Sequence, residues 1–184
     1  GALAHYEPLN RSVINLTKTK GIGSLAHEFA HAIDNLISFH TGEKKQTYVS
    51  GGRATRKGYD EEIGKNGNYF EKQFEEFFNV LYYTKKGEPT AFNKTISKGT
   101  DYLNRRNEVF ARTFEVYTHY KLEEQGIKNQ FLVKPLYQSK VYPPIELVLQ
   151  ASKFIDNIIK RGFNLMKRSK GLSGTTLFTG HYGF

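Results

Sequence analysis

Apolar residues recur at three- and four-residue steps in four stretches of this chain, and each stretch predicts an amphipathic helix. In the first, Leu25, Phe29, Ala32, Ile33 and Leu36 form the buried stripe. Ser24, which follows a Gly21-Ile22-Gly23 turn, suits an N-cap, and Gly42 suits a stop. In the second, Phe70, Phe74, Phe77, Phe78, Leu81 and Tyr82 keep helical spacing from Tyr69 to about Tyr83, where Thr84-Lys85-Lys86-Gly87 ends it. An aromatic stripe of this kind predicts core. The third stretch reads as one helix from about Asp101 to Glu124, closed by Gly126. The fourth, with Ile145, Val148, Ala151, Phe154, Ile155, Ile158 and Ile159, ends near Gly162.

Between these helices the pattern is weaker. Val13-Ile14-Asn15-Leu16-Thr17 is short and β-branched and predicts a strand, after an apolar piece Ala2 to Tyr6 and a Pro8-Leu9-Asn10 turn. An exposed strand edge there could pair with an extended peptide. Thr41 to Asn68 lacks periodicity and reads as a long loop or insertion. Ile127 to Tyr142 is a mixed connection, with Pro135, Pro143 and Pro144 excluding a continuous helix. From Lys167 the chain turns basic and then rich in Gly, Ser and Thr, and His181 belongs to that tail. The expected fold class is α+β, mostly helical, with a small N-terminal sheet. The expected organisation is one domain over residues 1–165 and a C-terminal tail over 166–184.

Composition narrows the chemistry. The 184 residues suit a single core, and 14 Phe and 12 Tyr make that core aromatic. With no cysteine, disulfides and thiolate zinc sites are excluded, so any metal must be held by His and carboxylate. No apolar run approaches the roughly 18 residues needed to cross a bilayer, and no secretory pattern opens the chain, so no membrane partner and a cytoplasmic setting are expected. The start at Gly1-Ala2-Leu3-Ala4-His5 leads us to expect a domain of a longer protein.

Twenty-seven Lys and Arg against 18 Asp and Glu give a net charge of +9, which draws polyanions. The basic residues cluster over Lys44–Lys57, Lys98–Arg106 and Lys160–Lys170. A solvated basic surface is the commoner origin of such clusters, and no nucleic-acid-binding signature accompanies them. Nucleic acid is therefore a secondary expected partner.

One motif carries specific chemistry. In Leu25-Ala26-His27-Glu28-Phe29-Ala30-His31 the two imidazoles are four residues apart. A helix turns about 100° per residue, so both project from one face and can bind one Zn²⁺. Glu28 stands one step round, badly placed to ligate but able to take a proton from a metal-held water. Ala26 and Ala30 are small enough to let another segment come close. Asp34, three residues past His31, could orient a ligand histidine or be an ordinary surface aspartate.

A third ligand must come from elsewhere. In Asn107-Glu108-Val109-Phe110-Ala111-Arg112-Thr113-Phe114-Glu115, the residues Glu108, Arg112, Glu115 and His119 form one polar stripe, flanked by Ala111, Phe114 and Tyr117. Such a stripe can be a solvated face with Glu108–Arg112 and Glu115–His119 ion pairs. It can equally face the metal, and spacing does not choose between Glu108 and Glu115.

His27-Glu28-x-x-His31-Ala32-Ile33-Asp34-Asn35 combined with Glu108 to Glu115 resembles the zincin-like metallopeptidase domains of phage and mobile-element polyvalent proteins, the large polyvalent-protein-associated domain type. Gly1 to Pro8, Val13 to Thr17 and Tyr142-Pro143-Pro144 resemble further parts of that domain, so the likeness spans about residues 1–160. It implies a zincin fold, His27 and His31 as zinc ligands, Glu28 as catalytic base and Glu108 as third ligand. Glu-x-x-Ala-x-x-Phe is also similar to the ligand-bearing helix of peptidases that cleave phage-type repressors, which favours Glu108 over Glu115. Phe29-Ala30 departs from the family's Trp-Gly, a change of bulk only.

The expected function is thus zinc-dependent hydrolysis of a protein or peptide substrate, in a bacterial host's cytoplasm if the parent is of phage or mobile-element origin. His119, Tyr117 and Arg112 are the candidate donors to the oxyanion by helix face. Two other readings stand beside it: an inactive zinc-binding or basic docking module for nucleic acid or protein, and a metal-free helical interaction domain.

Overall fold

Tyr6 is the one inward-facing residue of strand β1 (Ala4–Glu7), which pairs antiparallel with β2 (Val13–Leu16) in the register Ala4 to Leu16 and Tyr6 to Ile14. Its hydroxyl donates to Asn35 Oδ1 at 2.9 Å, which docks the strand pair on the helix bearing the histidines. The computed structural model describes residues 4–8, 13–16, 21–42, 48–53, 61–134, 137 and 139–173. Among these, the architecture is mostly helical α+β with this two-stranded sheet. Residues 166–173 of the expected tail are helical, whereas 174–184 with His181, and most of the Lys44–Lys57 cluster, lie outside the described residues.

Helix α1 (Leu25–Thr41) ends where glycine allows it, with Gly42 in the left-handed region at φ 78° and its N–H bonded to Phe39 O. Its start departs from expectation. Ser24 makes no side-chain cap; instead the Ala26 N–H donates to Leu132 O at 3.0 Å, so a distant turn satisfies the first helical turn. The buried face is also rotated from the predicted stripe. Ala26, Ala30, Ile33 and Ile37 are fully or almost fully buried, whereas Leu25, Phe29 and Leu36 are half-buried. The two alanines lie in the buried face of α1, which packs closely on α6 (Arg106–Glu124).

The short helix α2 (Glu61–Asn66) interrupts the predicted loop. Helix α3 (Tyr69–Tyr82) follows with a complete capping box, in which Asn68 accepts from the Glu71 N–H and Glu71 accepts from the Asn68 N–H. Its aromatic stripe is core, as the spacing predicts: Phe74, Phe77, Phe78, Leu81 and Tyr82 are inaccessible, and Phe74 meets Phe110 of α6 edge-on at 4.8 Å.

After α4 (Ala91–Ile96) the expected single helix from Asp101 is two: α5 (Asp101–Asn104) and α6, separated by Arg105 in an extended conformation (φ −60°, ψ 132°). No Gly or Pro marks that break. Its cause is tertiary, because the Asn107 N–H donates to Gly52 O at 3.1 Å and the Arg106 side chain donates to Ser50 O. Helix α7 (Ile145–Ser173) runs past Gly162 rather than ending there. It crosses α1 at that residue, where a Cβ would stand 2.8 Å from Ile37 Cδ1. Gly162 is therefore a contact point between helices and not a stop. No helix among the described residues is long and apolar enough to cross a membrane.

Candidate metal centre

The first half of α6 is buried on every side from Arg106 to Val116, which explains why its polar stripe does not behave as a surface. Glu108 is 7% exposed, Arg112 4% and Glu115 1%, so the expected surface ion pairs Glu108–Arg112 and Glu115–His119 do not form. A buried charge needs a partner of opposite sign or a metal. Glu108 finds both histidines of α1: its Oε2 lies 3.4 Å from His27 Nε2 and its Oε1 3.4 Å from His31 Nε2. Glu115 reaches the other side of the first ring, with Oε2 3.3 Å from His27 Nδ1.

These separations fit a metal. Contacts of 3.4 Å are long for hydrogen bonds, and Glu108 Oε2 and His31 Nδ1 are buried with no hydrogen-bond partner among the described residues. Ligands at about 2.0–2.1 Å from a tetrahedral zinc stand about 3.3 Å from one another. The donor atoms of His27, His31 and Glu108 all lie within 4.8 Å of each other, close enough to share one ion, and imidazole with carboxylate is a donor set that zinc accepts. The structure thus brings together the three expected ligands.

Glu115 has a different place, which spacing alone did not separate from that of Glu108. It accepts from the Tyr137 hydroxyl at 3.0 Å and lies 3.6 Å from Lys134 Nζ while contacting His27 Nδ1. In the neutral ring an Nδ1–H directed to that carboxylate would leave the lone pair on Nε2, which faces the shared point. Among the described residues no corresponding carboxylate serves His31. Asp34 is inaccessible and takes both the N–H and the hydroxyl of Ser50, so it anchors the turn at 48–53 to α1 rather than orienting a ring. Burial, resisted by those Ser50 hydrogen bonds, pushes its carboxyl up to about 6.

Burial by itself would lower the pKa of His27. The hydrogen bonds and charges of Glu108 and Glu115 outweigh it and raise the pKa to about 9, so without metal the ring is an imidazolium at neutral pH. Burial would likewise raise Glu108, but His27 and His31 hold it well below the usual carboxylate range. A metal requires the neutral ring, so binding must expel the His27 proton. Divalent-metal affinity is accordingly expected to rise about tenfold per pH unit from pH 7 up to about 9, with about one proton released at pH 7.5. Calorimetry in buffers of different ionisation enthalpy measures that release, and a pH-independent affinity would contradict it. Stability of the metal-free protein follows the same sign: the contribution of His27 is complete below its unfolded value near 6.5 and lost as pH rises through about 9.

Glu28 is 7% exposed and, among the described residues, no side chain pairs with it. It lines an open cavity of about 740 Å³ together with His27, His31 and Glu108. The other walls are β1 at Ala4–Tyr6, the turn at Tyr48–Arg53, and Tyr102, Arg105 and Asn107 at the junction of α5 and α6. None of the expected oxyanion donors is there. His119 pairs with Glu123, the Tyr117 hydroxyl donates to Asp156 on α7, and Arg112 donates to Leu103 O. Tyr48 and Tyr102 line the cavity instead. Tyr48 comes from a stretch read as loop, and Tyr102 was hidden inside a helix expected to be continuous. The Lys98–Arg106 cluster is likewise not one surface: Arg106 is buried against Glu75 with its guanidinium 4.0 Å above the Phe78 ring.

No curated protein and no solved structure matches this chain. A family match does exist over part of it, beginning within α4 and ending within α7, so that it includes Glu108 and Glu115 but neither His27 nor His31. Over residues 94–163 the chain matches the large polyvalent protein-associated domain 1.

Proposed function

We propose that this domain is a zinc-dependent metallopeptidase of the zincin type, working as part of a mobile-element or phage polyvalent protein. The observation that carries the reading is the meeting of His27, His31 and Glu108 from two separate helices at one point, in an open cavity that Glu28 lines with no side-chain partner among the described residues. The partial match to a polyvalent-protein-associated domain supports the biological setting.

His27, His31 and Glu108 would hold the ion, and Glu115 keeps the His27 ring turned toward it. A bound Zn²⁺ supplies Lewis acidity, polarising a scissile carbonyl and making water more acidic. Glu28 accepts the proton of the attacking water on its carboxylate and later returns it to the departing amine. Tyr48 and Tyr102 remain protonated at neutral pH, since burial and neighbouring acids raise both, Tyr48 to about 12. Their hydroxyls are the cavity's donors to a developing oxyanion.

Metal analysis of protein purified without added metal tests the reading. The wild type is expected to carry about one equivalent of zinc and Glu108→Ala less than about a tenth. A wild type that neither carries nor takes up zinc at micromolar concentration overturns the proposal.

A further inference from the structure

The cavity beside Glu28 has two cations that nothing in the proposed chemistry uses. Arg53 and Arg105 both line it, and among the described residues neither pairs with a carboxylate. Most basic side chains of this protein that come near the site are already committed: Arg106 to Glu75, Arg112 to a backbone carbonyl, and Lys134 to Tyr142 and Glu115. Arg53 and Arg105 are therefore the exceptions.

Their backbones belong to one wall. The turn carrying Arg53 is tied to the start of α6 by Asn107 N–H to Gly52 O at 3.1 Å and by Arg106 to Ser50 O. At Gly51, with φ 99°, a Cβ would stand 3.0 Å from Arg106 Nε, so the turn is pressed onto that side chain. Arg105 is the residue between α5 and α6, and its guanidinium lies 5.7 Å from the centre of the Tyr102 ring, which lines the same cavity. At that distance the ring leaves the guanidinium's N–H groups free for an anion, and the fork of an arginine matches a carboxylate in two parallel hydrogen bonds.

The charge balance points the same way. Glu28 and Glu108 would offset a divalent ion, which leaves the exposed Arg53 and the half-buried Arg105 as net positive charge on a concave wall. We propose that Arg53 and Arg105 form a carboxylate-recognition subsite that selects peptides carrying either an acidic side chain or a free C-terminal carboxylate near the bond to be cleaved. The cleavage rests on the metallopeptidase reading, whereas the binding does not.

The test uses zinc-loaded Glu28→Gln protein, which binds without turnover, and fluorescein-labelled heptapeptides read by anisotropy. Three peptides share one core: a neutral amidated peptide with Gln at its centre, the same with Glu there, and the Gln peptide with a free C-terminus. One of the two carboxylate peptides is expected to bind about tenfold tighter than the neutral one, and which one identifies the source of the carboxylate. Arg53→Gln and Arg105→Gln should each bring that affinity down to the neutral level at unchanged zinc content. Arg53→Glu with Arg105→Glu should turn the preference toward a Lys peptide, an outcome that a merely unfolded variant cannot give.

Equal binding of all three peptides overturns the proposal, as does a carboxylate preference that survives both Gln variants. Salt-sensitive binding of oligo-dT lost in both variants, with no carboxylate preference, also overturns it and assigns the wall to nucleic acid. Should acidic peptides bind as expected while the wild type cleaves none, the subsite stands and the hydrolase reading falls.

Discussion

Glu28→Gln is expected to retain about one equivalent of zinc and to lose peptide cleavage by roughly a thousandfold, within the 10²–10⁴ range of a general base. Glutamine keeps the size and polarity of the side chain and removes only its ability to accept a proton. Retention of metal follows from the donor set, since the converging atoms belong to His27, His31 and Glu108 and not to Glu28. Loss of cleavage follows from position, since Glu28 faces the cavity beside those ligands with no other side chain to satisfy. Zinc content by mass spectrometry and single-turnover cleavage of a mixed peptide pool, read by mass spectrometry, separate the two effects. Unchanged cleavage removes Glu28 from the mechanism, and lost metal moves it into the coordination sphere.

The largest effect on stability is expected at Arg106. Its guanidinium is buried, paired with the equally buried Glu75, stacked over Phe78 and bonded to Ser50 O. Arg106→Met leaves Glu75 charged in the core with that pairing gone, which costs about 3–5 kcal/mol. For a chain of this size that lowers the melting temperature by roughly 10 °C. Because Glu108 is two residues further along the same first turn of α6, the variant should also weaken zinc binding. Adding Glu75→Leu removes the buried carboxylate that has lost Arg106 and should recover most of the melting temperature. The zinc affinity should stay low, because the link from α6 to the turn at Ser50 remains cut. A melting temperature within about 2 °C of wild type for Arg106→Met alone would show that the pair contributes little.

The two variants test different parts of one arrangement. Glu28 acts at the cavity, whereas Arg106 holds the turn at 48–53 and the start of α6 against α3. The same stitching sets where Arg53 and Arg105 stand. Carboxylate selectivity and metal affinity should therefore fall together in Arg106→Met, whereas in the Arg53 and Arg105 variants only the selectivity should fall.

Local sequence determined a good deal of this protein. The aromatic period of α3 and its Asn68–Glu71 box, the left-handed stop at Gly42, the strand at Val13–Leu16 and the shared face of His27 and His31 are all consequences of neighbours within one or two turns. Such features depend on helical or strand periodicity, which the order of residues carries directly. Tertiary structure decided the remainder. Glu108 and Glu115 sit seven residues apart on one helix, and only the position of α1 gives one the shared donor point and the other the far side of His27. The break at Arg105, the run of α7 through Gly162 and the burial of Arg106 likewise come from segments distant in the chain. Periodicity tells which side a residue takes; what waits on that side is fixed by how the helices pack, because burial turns a polar stripe from a solvated surface into a set of charges that must find partners.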